Sequence, residues 1–107
     1  MSGIESGQAF SETTTHATSA VASHAGVAGK TFYITDISAS TDKAGALLLV
    51  KQGTTVIWQL QLAASAAGNL AHSHVFTSPL KGASGALVSV TIDGTSVCNA
   101  NIAGFEL

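Results

Sequence analysis

Two histidines spaced two positions apart have the clearest spacing for metal chemistry in this sequence. His72 and His74 lie in the alternating run AHSHVF, which is typical of a β-strand. Side chains two apart on a strand share a face, so the two imidazoles should lie about 7 Å apart. A catalytic zinc site normally has three protein ligands, and the nearby sequence offers neither a carboxylate nor a third ligand. We therefore predict no metal and no cofactor, and we favour a polar outer strand face or a subunit contact for this pair.

The remaining reactive side chains show no catalytic pattern. His16 and His24 lie in the first predicted strand and could pair across from the other two histidines. Cys98 sits between apolar neighbours, which favours a buried, inert thiol. The sequence contains no G-x-S-x-G elbow, no phosphate-binding glycine motif and no carboxylate pair with acid–base spacing. We therefore predict that the protein is not an enzyme.

The composition is unusual in its low content of charged residues. Only 9% of the 107 residues are charged, against about 25% in ordinary soluble domains. Four lysines, no arginine and six acidic residues give a net charge of −2, which argues against nucleic-acid binding. The longest apolar run, residues 44–50, is far shorter than the ~20 residues of a membrane-spanning helix. No secretory signal is visible at the N-terminus, so we expect cytosolic synthesis and no membrane partner.

Small neutral residues dominate the chain and indicate what its surface does. Alanine (18), serine (13), threonine (12) and glycine (11) make up 54 of the 107 residues. Such side chains let two backbones approach closely and lose little entropy when they are ordered. Depletion of charge also marks the centre of protein–protein interfaces. We interpret the chain as a subunit that packs against other copies or a partner, with a monomer dissolved by its hydroxyl groups as the alternative.

Short alternating segments separated by turn residues predict an all-β fold. Seven candidate strands are spaced about 8–14 residues apart, with no convincing long helix. They cover residues 15–24, 30–38, 46–51, 55–62, 71–76, 86–92 and 96–105. This spacing indicates a single antiparallel β-sandwich or jelly-roll-like domain over residues 15–107. Because few lysines are available to protect strand edges, we expect neighbouring subunits to cover them.

Alternation within the strands predicts which side chains face the core. The clearest alternation is in the run TVIWQLQL, residues 55–62. A period of two places four apolar residues inward and both glutamines outward. The inward set is Val56, Trp58, Leu60 and Leu62. In the run 30–38, Phe32 and Ile34 share one face, and Tyr33, Thr35 and Ile37 share the other.

Turn residues predict the connections. Gln52-Gly53 indicates a tight turn, and Asp93-Gly94 predicts a type I′ hairpin between the last two strands. Pro79 predicts a break after residue 76, because proline cannot sit in a central strand. Residues 63–70 are alanine-rich but too short for a stable helix, so we predict a loop.

The N-terminal residues 1–14 show no periodicity. We predict a flexible arm, or a segment ordered only by a partner, with Ile4 and Phe10 as its only plausible anchors. A plain disordered terminus is the alternative.

Four runs in order resemble small structural proteins of tailed bacteriophages. They are GKTFYITDISAS, ALLLVKQGTTVIWQLQL, HSHVFTSPLKG and ALVSVTIDGTSVCNANIAGFEL, and together they span residues 29–107. The resemblance is one of pattern and order, without a catalytic signature. It implies a compact β-sandwich, often trimeric, that sits on the virion.

Within that group the sequence looks most like a capsid decoration, or cement, protein. The resemblance implies binding to the major capsid protein on the capsid surface, as a homotrimer, after synthesis in the host cytoplasm. His72, His74, Ile4 and Phe10 are the predicted capsid or subunit contacts. The alternative is a tail or fibre accessory module with a receptor- or glycan-binding β-sandwich.

Overall fold

The computed structural model describes residues 8–16, 18–62 and 70–107. Within these residues the chain forms eight β-strands and no helix. The strands are β1 (Gln8–His16), β2 (Ser19–His24), β3 (Thr31–Thr41), β4 (Leu47–Gln52), β5 (Thr55–Gln61), β6 (Leu70–Ser84), β7 (Val88–Asp93) and β8 (Cys98–Glu106). The predicted all-β class is confirmed. The structure has one strand more than the seven predicted. The first predicted strand, residues 15–24, covers the end of β1 and the whole of β2.

The strands form two four-stranded antiparallel sheets packed as a sandwich. Sheet A has the order β1-β8-β3-β6, and sheet B has the order β2-β7-β4-β5. The first strand therefore pairs with the last, the second with the seventh, the third with the sixth and the fourth with the fifth. This nested pairing is the arrangement of a jelly roll, in which one long antiparallel hairpin is folded over on itself. The predicted sandwich is confirmed.

Side chains from both sheets meet in one core. Along β8 every second residue is buried, as a period of two requires when one sheet face is covered. The largest fully buried apolar side chains come from both sheets: Phe32, Ile34, Leu48, Val50, Val88, Val90, Ile92 and Ile102. The prediction for Cys98 is also confirmed, since this residue is 1% exposed.

Two β-bulges shift faces that simple alternation had assigned. The register of β3 slips between Ile34 and Asp36, which turns Ile37 into the core at 2% exposure. The register of β5 slips opposite Val50 and Lys51, which leaves Val56 outside the core. The predicted faces of Ile37 and Val56 were wrong, because a bulge inserts one residue and reverses the alternation beyond it. Trp58, Leu60 and Leu62 do face inward as predicted.

The predicted Asp93-Gly94 hairpin is wrong. The strands that flank it, β7 and β8, belong to different sheets, and neither residue has a positive φ. Residues 94–97 instead carry the chain from sheet B to sheet A. The side chain of Asp42 accepts hydrogen bonds from the backbone N–H groups of Thr95 (2.7 Å) and Ser96 (2.9 Å). The predicted tight turn at Gln52-Gly53 is present, with Gly53 at φ 59° between β4 and β5.

Two other predictions about chain ends and breaks also change. Pro79 lies within β6, but in the stretch of residues 76–79 that has no register partner between Leu80 and Val75, so the predicted break is an interruption of the pairing with β3 rather than the end of a strand. Residues 8–14 lie in β1 and pair with β8, so this part of the predicted arm belongs to the domain. The rest of the arm, which includes Ile4, lies outside the described residues, and so do residues 63–69 of the loop predicted over residues 63–70. Leu70, the last residue of that predicted loop, is the first residue of β6.

Candidate interaction surface

The outer face of sheet A is broad and almost uncharged. Its centre, which we call the neutral face, consists of Ser11, Thr13, Thr15, Ser38, Ser40, Ala71, Ser73, Val75, Asn99, Asn101 and Ala103. Strand register aligns these side chains in rows across all four strands. One row runs Thr13, Asn101, Ser38 and Ser73, and this alignment follows directly from the Cα pairing of neighbouring strands. The face therefore offers short hydroxyl, amide and methyl groups in a regular array.

Hydrogen bonds within the array orient its polar groups. The side-chain amide of Asn101 donates to the hydroxyl of Ser38 at 3.0 Å. The Thr35 hydroxyl donates to the Asp36 carboxylate at 2.7 Å. Asp36 lies within the face, between Ala103 and Val75 in the row that begins at Ser11, and it is the charged residue of these rows. Short side chains already held in place lose little entropy when a partner covers them. The geometry therefore suits contact with another neutral protein surface.

An aromatic pair lies at one end of the neutral face. Tyr33 and Phe105 stack with ring centroids 5.1 Å apart and an angle of 10° between the rings. The Lys81 ammonium lies 5.9 Å from the centroid of the Tyr33 ring, within cation–π range. Sequence alternation placed Tyr33 on the face opposite Phe32 and Ile34, but it could not indicate the stack, because the partner strand β8 is more than sixty residues away in the chain.

The outer face of sheet B is also poor in charge, but it is more apolar. Val21, Leu47 and Val56 are 46%, 45% and 42% exposed there. The polar outward groups beside them include Gln59 and Gln61, which confirms the predicted direction of both glutamines. Both broad faces of the sandwich therefore lack the charged surface that keeps soluble monomers apart.

His24 ties three strands together at the side of the sandwich formed by β1 and β2. Its Nε2 lies 2.5 Å from Oε1 of the buried Glu106, and its Nδ1 lies 3.6 Å from Oε2 of Glu12. The Phe10 ring stacks on the imidazole at a centroid distance of 3.9 Å. Phe10 is thus packed against the core, which corrects its prediction as a free anchor for a partner. No sequence pattern signals this cluster, because its members are far apart in the chain.

His72 and His74 share a face as predicted, but it is the inner one. Both are half-buried, and they lie opposite Ala39 and Ile37 of β3, whose side chains point into the core. The His74 ring lies 4.9 Å from that of Trp58 and 4.7 Å from that of Phe76, so rings from β5 and β6 meet across the open side of the sandwich. The preferred prediction of a polar outer face for these histidines was wrong.

The two histidine regions lie on opposite sides of the sandwich. The strands β1 and β2, which carry His16 and His24, lie at the opposite edges of the sheets from β5 and β6. In the described part of the chain, no group of three or more His, Cys, Asp or Glu side chains is placed to hold a metal. Burial raises the pKa of the Cys98 thiol, which lowers its reactivity. No helix in the described ranges is long and apolar enough to cross a membrane.

Comparisons with known proteins give a weak structural likeness. No family model matches the chain, and no curated protein matches it. Among solved structures, this chain is similar to a protein chain in the cryo-EM structure of the virus-like particle of extra small virus from the giant freshwater prawn Macrobrachium rosenbergii. The sequence identity is 15%, the TM-score is 0.39, and the match covers 98% of this chain and 80% of the other. A likeness of this size assigns neither a family nor a function to the chain.

Proposed function

We propose that this protein is a structural component of a bacteriophage virion, and specifically a capsid decoration protein that binds the head shell as a homotrimer. The observation that carries the proposal is the near absence of charge from both broad faces of the sandwich, above all from the neutral face. The sequence resemblance to small phage virion proteins supports the same assignment. The partners in this proposal are the major capsid protein and other copies of this chain, on the capsid surface.

The proposed mechanism is binding rather than catalysis. A protein that binds only the assembled shell stabilises it by mass action, because dissociation of the shell then requires release of the bound protein. A trimer that contacts several shell subunits at once gains further affinity from multivalency. The rows of hydroxyl and amide groups on the neutral face supply neutral hydrogen bonds for such contacts.

Charge substitution on the neutral face tests the proposal. Ser38 lies in the middle of the face, and Ser38→Lys would bury an ammonium group beneath the partner. Such a group costs about 2–5 kcal/mol, which weakens binding by at least roughly 30-fold. The control is Thr54→Lys, which adds the same charge at the exposed β4–β5 turn. Binding is measured by co-sedimentation with undecorated heads of the encoding phage.

Salt dependence and mass provide two further tests. Binding of the unaltered protein should change little between about 0.05 M and 0.5 M salt, because few charges are present to be screened. Light scattering on the isolated chain should give the mass of a trimer. Equal binding by Ser38→Lys and the control, or a steep loss of binding with salt, would contradict the decoration role.

The second candidate is a tail or fibre module that binds a receptor or a glycan. The stacked, half-buried Tyr33–Phe105 pair on the outer face of sheet A, with Lys81 beside it, favours this candidate, since aromatic rings next to polar groups are what such ligands contact. The position of the protein on the particle, seen by cryo-EM, separates the candidates. Density on the head supports decoration, and density on the tail supports the accessory module.

A further inference from the structure

The four edge strands of the sandwich are protected to very different degrees. Edge strands present unpaired backbone groups, and proteins usually block them with bulges, proline, lysine or short length. The edge strand β6 has two register shifts and carries Pro79 and Lys81. The edge strand β5 has a bulge, and β2 has only six residues. Three of the four edges therefore carry a recognised form of protection.

The fourth edge, β1, has none of these features. Its nine residues pair with β8 in an unbroken register from Gln8 to His16. It contains no proline, no lysine and no bulge, and Glu12 is its only acidic residue. In the described part of the chain, the backbone of β1 makes no main-chain hydrogen bond outside its ladder with β8. Within residues 8–16, 18–62 and 70–107, alternate residues of β1 therefore present N–H and C=O groups to one side without a main-chain partner.

We propose that β1 pairs with β1 of a second copy of this chain, antiparallel and across a two-fold axis at Thr13. The two sheets A then join into one eight-stranded sheet, and the two neutral faces become continuous. A two-fold contact joins copies in pairs, so it is separate from the three-fold contact proposed above and would link two trimers. This inference depends only on the edge geometry and does not require the virion role.

Charge and side-chain size favour this register. A two-fold axis at Glu12 would place two carboxylates directly opposite each other, which destabilises a strand pair. With the axis at Thr13, Glu12 lies opposite Thr14 of the second copy, and Ser11 lies opposite its Thr15. The outward residues of β1 are small and neutral: Ala9, Ser11, Thr13 and Thr15. Small hydroxyl-bearing side chains opposite one another pair well on a sheet face.

Cysteine substitution tests both the contact and its register. Opposed Cα atoms of antiparallel strands lie about 4.5–5.5 Å apart, within the range that a disulfide spans. Oxidation of Thr13→Cys should therefore give a disulfide-linked dimer, whereas Ser11→Cys and Thr15→Cys should each stay monomeric on a non-reducing gel. An equal mixture of the last two should give a mixed dimer. The native Cys98 is buried and should not contribute.

The matched control is Ser73→Cys, at the other end of the same row on the protected edge strand β6. Cross-linking of Thr13→Cys no faster than Ser73→Cys would overturn the proposal. A disulfide-linked dimer of Ser11→Cys, formed without Thr15→Cys in the mixture, would also overturn it, because the two-fold axis would then lie at Ser11.

A charge at the axis provides an independent measurement. Thr13→Lys would place two ammonium groups opposite each other, and it should abolish the two-fold association seen by sedimentation at increasing concentration. Ser73→Lys adds the same charge away from the contact and should leave the association unchanged. Self-association of Thr13→Lys as strong as that of Ser73→Lys and of the unaltered chain would overturn the inference. Because head binding is measured separately with Ser38→Lys, failure of the edge contact and failure of the decoration role give different results.

Discussion

Replacing Gly104 with alanine tests how closely the two central strands of sheet A approach. Gly104 lies in β8 opposite Ile34 of β3, at the position where the β3 bulge begins. A methyl group on Gly104 would overlap the carbonyl oxygen of Tyr33 and lie 3.0 Å from the Cα of Ile34. Ordinary contacts between carbon atoms are about 3.5–4.0 Å. The obstacle is the backbone of a central strand, which cannot rotate aside as a side chain can.

The expected loss of stability follows from that geometry. Overpacking a core typically costs about 1–3 kcal/mol, and the backbone clash places Gly104→Ala near 3 kcal/mol. For a domain of this size each 1 kcal/mol lowers Tm by roughly 4–8 °C, so we expect a drop of about 12–24 °C. The same change would separate β3 from β8 and distort the rows of the neutral face. Head binding should therefore weaken along with stability.

Thermal unfolding followed by circular dichroism measures the effect. The control is Gly29→Ala, where φ is 78° and no atom lies within 4 Å of the added methyl group. That control carries only the cost of a left-handed alanine, about 1–2 kcal/mol. A Tm for Gly104→Ala equal to or above that of Gly29→Ala would refute the close approach of β3 and β8.

Three further predictions concern the end of the sandwich where β3 and β7 terminate, and the buried thiol nearby. Thr41→Val removes a buried 2.5 Å hydrogen bond from the Thr41 hydroxyl to the Asp93 carbonyl, and it should lower the free energy of unfolding by about 1–3 kcal/mol in urea titrations, with Thr41→Ser close to the unaltered chain. The hydrogen bond from the Ser96 hydroxyl, followed by backbone N–H groups, holds the pKa of Asp42 well below its usual range; stability should therefore fall as pH drops below about 4, and Asp42→Asn should flatten that decline. Because burial raises the pKa of Cys98, its alkylation by iodoacetamide at pH 8 should be slow in the folded protein and fast in urea, and rapid labelling of the folded chain would contradict its placement in the core.

Local patterns were sufficient for the strands and for much of the core. Alternation over a few residues placed Trp58 and Leu62 inward and Gln59 outward, because a strand segment repeats every two residues whatever lies beside it. The burial of Cys98 followed from its apolar neighbours in the same way. The scarcity of charge on the surface followed from composition alone, since four lysines and six acids cannot cover a domain of this size.

Local patterns failed where two distant segments decide the outcome. His72 and His74 were placed on one face correctly, but which face is the inner one depends on the pairing of β6 with β3. Two bulges change the faces on which Ile37 and Val56 lie, and neither bulge has a proline or glycine at the inserted position that would predict it from the sequence. The cluster around His24 joins residues of β1, β2 and β8, and no spacing in the sequence relates them.

The sequence by itself determined that this chain would fold as short strands with small, neutral side chains, because backbone preference and residue type act locally. Only the tertiary structure decided that β7 and β8 belong to different sheets, that β1 is an edge strand with no bulge, and that small polar side chains line up in rows on one face. The physical reason is that hydrogen bonds between strands join residues as far apart as Gln8 and Glu106. Which of these pairings forms depends on how the whole apolar surface can be buried at once.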